Sequence, residues 1–137
     1  MDTTNIITII LSILSSSIVT LILSIIIFEP IREKKKYIFD EKKRVYESII
    51  IFAQIVLYPK EAKYALGVAR YNIQELTDDE NIRNALNDIK MAVPKLRLIT
   101  KNEKVLECTN RFIHERNEVS FEDLIVILQK DLYSYNK

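Results

Sequence analysis

The chain is poor in the residues that build turns, disulfides and metal sites. It has one glycine, one cysteine, one histidine and three prolines in 137 residues. With Gly67 as the sole glycine, there is little material for tight turns, so hairpin-rich strand folds are disfavoured and the connections must be few and short. A lone Cys108 excludes an intramolecular disulfide, as expected of a chain that folds in a reducing cytosol. His114 is six residues away, about 600° of helical rotation, which places the two on opposite sides of an ideal helix. That argues against a Cys/His nucleophile pair, and without a second histidine no metal site of the usual composition can form.

Neither sign of charge is in excess. Twenty Lys and Arg against 19 Asp and Glu leave a net charge of +1, which excludes the broadly basic footprint of a nucleic-acid-binding domain. Asp78-Asp79-Glu80 reads as a helix start before it reads as an acid/base or Mg²⁺ site. No constellation for catalysis, no cofactor motif and no small-molecule site is evident, so an enzyme is not expected.

What the chain does have is one long apolar run. Ile6 to Phe28 covers 23 positions without a charge, Pro, Gly or Asn. As a helix it extends roughly 34 Å, enough to cross a hydrocarbon core of about 30 Å with modest tilt. The basic n-region, short apolar core and small-residue cleavage site of a secretory signal are not found. No Lys or Arg precedes the run, whereas Arg32 to Arg44 holds seven basic residues against Glu33, Asp40 and Glu41. Cytoplasmic flanks are the Lys/Arg-rich ones, which predicts a single-pass inner- or plasma-membrane protein with its N-terminus outside. The expected organisation is an anchor over residues 1–29 and a cytosolic bundle over 30–137, with a basic start at 31–44. About a hundred residues outside the anchor can close one modest core.

The fold class expected for the remainder is all-α, an antiparallel bundle of about five helices. Ile38, Val45, Ile49, Phe52 and Val56 form a first helical stripe. The apolar stretch Ile49 to Tyr58 is too short for a second span and reads as a core helix. Pro59 suits the first position of a second helix, with Ala62, Leu66, Ala69, Ile73 and Leu76 facing inward. Thr77 with Glu80 is a capping-box start for a third, carrying Ile82, Leu86, Ile89, Val93 and Leu96. Pro30 and Pro94 are expected to kink or break their helices. A fourth helix from about Asn102 to His114 buries Val105, Leu106, Phe112 and Ile113. Ser120 reads as the N-cap of the last, which carries Phe121, Leu124, Ile125, Leu128 and Leu132. The tyrosines at 37, 46, 58, 64, 71, 133 and 135 fit helix packing with a hydroxyl reaching water.

Two sets of residues are candidates for function. Thr8, Ser12, Ser16, Thr20 and Ser24 recur every four residues and make a ridge of small polar side chains along the anchor. Such a ridge lets membrane helices approach closely and exchange hydroxyl hydrogen bonds, although each hydroxyl can equally bond the carbonyl one turn back. The second set is Arg32, Lys34, Lys35, Lys36, Lys42, Lys43 and Arg44, which suit contact with anionic lipid headgroups or, more plainly, topology determination and a solvated helix face.

Lys43-Arg44-Val45-Tyr46-Glu47 through Val56-Leu57-Tyr58, Pro94-Lys95-Leu96-Arg97-Leu98 followed by Asn102-Glu103-Lys104-Val105, and Leu128-Gln129-Lys130-Asp131-Leu132 form a loose pattern. In it the chain resembles small bacterial single-pass membrane proteins with a helical cytosolic domain. Gln129 stands where those proteins often carry Arg. The resemblance implies an architecture and supplies no reaction, cofactor or binding residues. The function expected is an interaction or scaffold module holding a protein partner or a homo-oligomer at the inner face of the bilayer, with an exposed apolar or aromatic patch that includes Tyr133 and Tyr135. A pore-forming or toxin-like effector and a subunit of a membrane enzyme complex are the alternatives.

Overall fold

The computed structural model describes residues 3–65 and 72–134, and among them every regular element is helical. The chain is helical without interruption from Thr3 to Leu57. Within that length α1 covers Thr3–Leu23, a π-type turn covers Ser24–Phe28, and α2 covers Glu29–Leu57. After these come α3 (Pro59–Tyr64), α4 (Asp78–Ile99), α5 (Glu103–Glu115) and α6 (Glu118–Ser134).

Two compact units divide the chain, Met1–Tyr37 and Ile38–Lys137. The division falls eight residues after the expected boundary at 29/30, inside α2. Residues 30–37 are all exposed and add nothing to a core.

In the first unit every described residue is exposed, and α1 buries no side chain against any other part of the molecule. It is a helix long and apolar enough to cross a membrane. Pro30 does not break it. A proline lacks the N–H that would bond the carbonyl of Ile26, and its ring presses on that carbonyl. The ladder widens just ahead of it, with the Glu29 N–H reaching back to the Ser24 carbonyl, and this π-type turn accommodates the ring.

The second unit has its own core. Val45, Ile49, Ala53, Ile55 and Val56 of α2 pack with Ala85, Leu86, Ile89 and Leu96 of α4, Val105, Phe112 and Ile113 of α5, and Phe121, Leu124 and Leu128 of α6. Ile49 and Val56 are thus buried in the bundle core. Polar contacts at the two ends of α6 set its direction against α2. Lys42 meets Asp131 and Tyr58 meets Glu118, so the two helices run antiparallel. Lys95 of α4 reaches Glu41 of α2, while Lys63 of α3 reaches Asp78 at the opposite end of α4.

Local chemistry explains most of the helix ends. Thr77 and Glu80 form the reciprocal capping box that opens α4, and Asn102 caps α5 through the Lys104 N–H. Pro94 lies inside α4 without ending it; the carbonyl it leaves unbonded is that of Lys90, an exposed residue that water can reach. Arg116 adopts a left-handed conformation (φ 51°, ψ 45°) and turns the chain from α5 into α6 within two residues.

Two expectations need correction. The last helix starts at Glu118, because Asn117 is its cap: the Asn117 side chain accepts the Ser120 N–H at 2.8 Å, and Ser120 is the buried reciprocal partner three residues on. The helix expected across 59–76 is helical only at Pro59–Tyr64 among the described residues, with Ala65 extended and Asn72 in a left-handed turn bonded to Glu75. Ile73 is still buried, delivered by that turn rather than by a helix face. Leu66, Gly67 and Ala69 lie outside the described residues, as do Tyr71 and Tyr135.

Candidate functional site

The ridge residues Thr8, Ser12, Ser16, Thr20 and Ser24 are all exposed on one winding face of the apolar helix. Thr8 donates its hydroxyl to the Thr4 carbonyl at 2.8 Å and Thr20 to the Ser16 carbonyl at 2.9 Å. Both are the one-turn-back bonds that satisfy a hydroxyl within its own helix. Ser17, off the ridge, does the same toward Ile13.

The seven bases fall into distinct environments. Arg32, Lys34, Lys35 and Lys36 are exposed in the first unit. Lys43 and Arg44 are exposed in the second and lie beside carboxylates, Glu47 at 3.8 Å and Glu41 at 2.7 Å. Lys42 corrects the sequence expectation: it is only 4% exposed, and its ammonium lies 2.9 Å from Asp131 Oδ2 inside the bundle.

Around that ammonium the structure assembles a buried polar cluster from three helices. Lys42 and Tyr46 project from one face of α2, one turn apart, and Asp131 faces them from α6. Asp131 Oδ2 accepts from the Tyr46 hydroxyl at 2.5 Å and from the Thr100 hydroxyl at 3.0 Å, in addition to Lys42. Thr100, the C-cap of α4, also accepts the Asn102 N–H at 3.1 Å, which ties the α4–α5 turn to the same point. Tyr46 therefore departs from the expectation that the tyrosine hydroxyls reach water.

The electrostatics of the cluster follow from its enclosure. Burial by itself raises the Asp131 carboxyl, but the hydrogen bonds from Tyr46, Lys42 and Thr100 outweigh it and hold the group below its ordinary value. Burial, followed by the bond to the Asp131 carboxylate, pushes the Tyr46 phenol well above its own. One side chain stays ionised and the other keeps its proton, so the pair is a poor proton-transfer couple near neutral pH. Such a cluster acts as a positional lock, fixing which groups of α2, α4 and α6 face one another.

Beside this lock runs an open groove of about 300 Å³ between α2 and α6. Ile50, Ile125, Leu128 and Leu132 line it together with Tyr133, while Lys43, Glu47 and Gln129 supply polar edges. Tyr133 is 59% exposed and packs at a tilt against Phe39, with ring centres 6.3 Å apart. Tyr46 also lines the groove, so the lock and the groove share a side chain.

The isolated reactive groups stand apart from this region. Cys108 is half-buried, and burial raises its thiol above the ordinary value. His114 is exposed, its Nδ1 2.7 Å from the Asn110 carbonyl. Among the described residues no three His, Cys, Asp or Glu side chains group as metal ligands.

Sequence reasoning missed Asp131, Tyr46 and Thr100 as a unit. Lys42 fills the seven-residue gap between Ile38 and Val45, and Asp131 continues the spacing of Phe121, Leu124 and Leu128, so each charge falls on a core stripe. Opposite charges at core positions of two helices were the available signal. No protein-family model, no curated protein and no solved structure matches the chain.

Proposed function

We propose that the protein is a single-pass membrane protein whose bundle is an interaction module at the inner face of the bilayer. The observation that carries the interaction role is the α2–α6 groove, an open apolar surface with a half-exposed tyrosine at its edge, beside a polar cluster that holds its walls in register. Aromatic and aliphatic surface of this kind is what protein interfaces bury at their centres. Anchoring is supported by the wholly exposed apolar helix, since 23 consecutive uncharged, largely aliphatic positions have no place in water. The inward orientation is supported by Arg32, Lys34, Lys35 and Lys36 immediately after the run, against an N-terminal flank with no base.

The occupant of the groove is an apolar side-chain cluster of a protein, either another chain or a second copy of this one. A photo-reactive amino acid in place of Gln129, in the full chain in native membranes, tests this directly. A discrete adduct is expected, and its mass distinguishes self from non-self. A groove that gives only lipid adducts or none refutes the role. Single cysteines along Thr8 to Ser24 in a Cys108→Ser background then show whether the ridge is a second contact: crosslinks confined to the 8-12-16-20-24 face indicate helix pairing, and uniform crosslinking reduces the helix to a tether.

A further inference from the structure

The α4 helix is charged asymmetrically and is apolar where it should be wet. Its first turn holds Asp78, Asp79 and Glu80, yet the fourteen residues from Ile89 to Asn102 contain no acid and four bases, Lys90, Lys95, Arg97 and Lys101. Bases near a helix C-terminus suit the macrodipole and need no ligand. The dipole does not account for the side chains between them. Leu98 is 87% exposed and Met91 is 77% exposed, on one face of α4 with exposed Pro94 at the intermediate position. Arg97 and Lys90 flank that stripe on one side and Lys95 on the other. On the Lys90 side an open groove of about 360 Å³ between α4 and α5 adds His114, Arg116 and Asn110, a cationic and hydrogen-bonding recess large enough for a phosphate group.

Lys95 is paired with Glu41 and Asp88 lies one turn before Met91, but exposed aliphatic side chains flanked by Lys90, Arg97 and Lys101 are complementary to an anionic bilayer: the apolar tips enter the headgroup boundary while these bases meet phosphates. The end of α4 that bears them also contacts α2 within the bundle, through the 2.8 Å contact of Lys95 with Glu41. Only nine residues, Glu29 to Tyr37, join the apolar run to the bundle, so a chain held by that run meets the same bilayer at high effective concentration.

We infer that the C-terminal half of α4, through Met91, Pro94 and Leu98 with Lys90, Arg97 and Lys101, is a second membrane contact that docks the bundle on anionic phospholipid. The inference rests on the reading that Ile6 to Phe28 spans the bilayer, and the test separates the two. Full-length protein with Cys108→Ser carries a fluorophore on a single introduced cysteine, Leu98→Cys, Val126→Cys or Ser16→Cys, in nanodiscs with or without anionic phospholipid, and quenching by brominated lipid is read. The label at 98 is expected to be quenched about twofold or more strongly in anionic than in zwitterionic discs, with the excess removed by high salt and by Arg97→Glu with Lys101→Glu. Val126, exposed on α6, should not respond to lipid charge. Equal, weak quenching at 98 in both discs while Ser16 is quenched overturns the docking and leaves the anchor intact. Absence of quenching at Ser16 overturns the anchor and the docking with it. Shielding of residue 98 in native membranes but not in lipid discs overturns the lipid assignment in favour of a protein on this face.

Discussion

Removing the Asp131 carboxylate should reveal how much of the bundle depends on the cluster around it. In Asp131→Ala the Lys42 ammonium loses a partner 2.9 Å away in a site where it is 4% exposed, and the Tyr46 and Thr100 hydroxyls lose their common acceptor. Breaking a buried ion pair by deleting one partner costs about 3–5 kcal/mol. With a urea dependence of about 2 kcal/mol/M, the unfolding midpoint of the full chain in mild detergent should fall by roughly 2 M. The double variant Lys42→Met with Asp131→Leu removes both charges but still takes the acceptor from Tyr46 and Thr100, so it should be less stable than the parent yet clearly more stable than the sum of the single changes predicts. The pH dependence has a definite sign. The folded Asp131 carboxyl lies below its ordinary value of 3.8, so its contribution is complete above that pH and is lost as pH falls through the folded value. The gap between parent and Asp131→Ala should therefore be widest near neutrality and close in acid. A midpoint shift under about 0.5 M, or a double variant as unstable as the sum, would refute the claim that the cluster is coupled.

Thr77→Ala should remove the capping box of α4 and cost about 1 kcal/mol in the same urea titration, with Thr77→Ser retaining most of it. Burial raises the Asp88 carboxyl, so its charged form opposes folding above the ordinary value of 3.8; Asp88→Asn should raise the midpoint at neutral pH and bring no gain in strong acid. Cys108, raised by burial, should react with a disulfide reagent at pH 8 more slowly in the folded chain than in urea, and equal rates would contradict its placement.

Periodicity made most of the core legible. Val45, Ile49, Leu86, Ile89, Leu96, Val105, Phe112, Leu124 and Leu128 repeat at three and four residues and are all buried. The capping box at Thr77 was equally readable because Thr and Glu at that spacing satisfy two backbone donors at once. The start of α6 was not, since Asn117 and Ser120 are both good caps and only the left-handed Arg116 before them selects the earlier one. After Tyr64 the helical spacing misled for a related reason: among the described residues Ala65 is extended and a turn at Asn72, rather than a helix face, buries Ile73. The polar cluster escaped because Lys42 sat in a run of bases whose flanking role explained it fully, so its position on the core stripe went unused.

That position divides the basic stretch into two parts with separate physical duties. Lys42 is consumed by Asp131, Arg44 by Glu41, and Lys43 lies near Glu47, so the three bases of this stretch that belong to the bundle are matched by carboxylates. What remains beside the apolar run is Arg32, Lys34, Lys35 and Lys36 against Glu29 and Glu33, all of them exposed. On the proposed topology the signal requires charges that stay unburied near the end of the apolar run, and within this stretch only these four bases meet that requirement. Lys42 could not serve the same end without breaking its buried pair with Asp131, at a cost of about 3–5 kcal/mol. Changes at 32–36 should consequently alter orientation and leave the bundle's stability untouched, whereas a change at 42 should do the reverse.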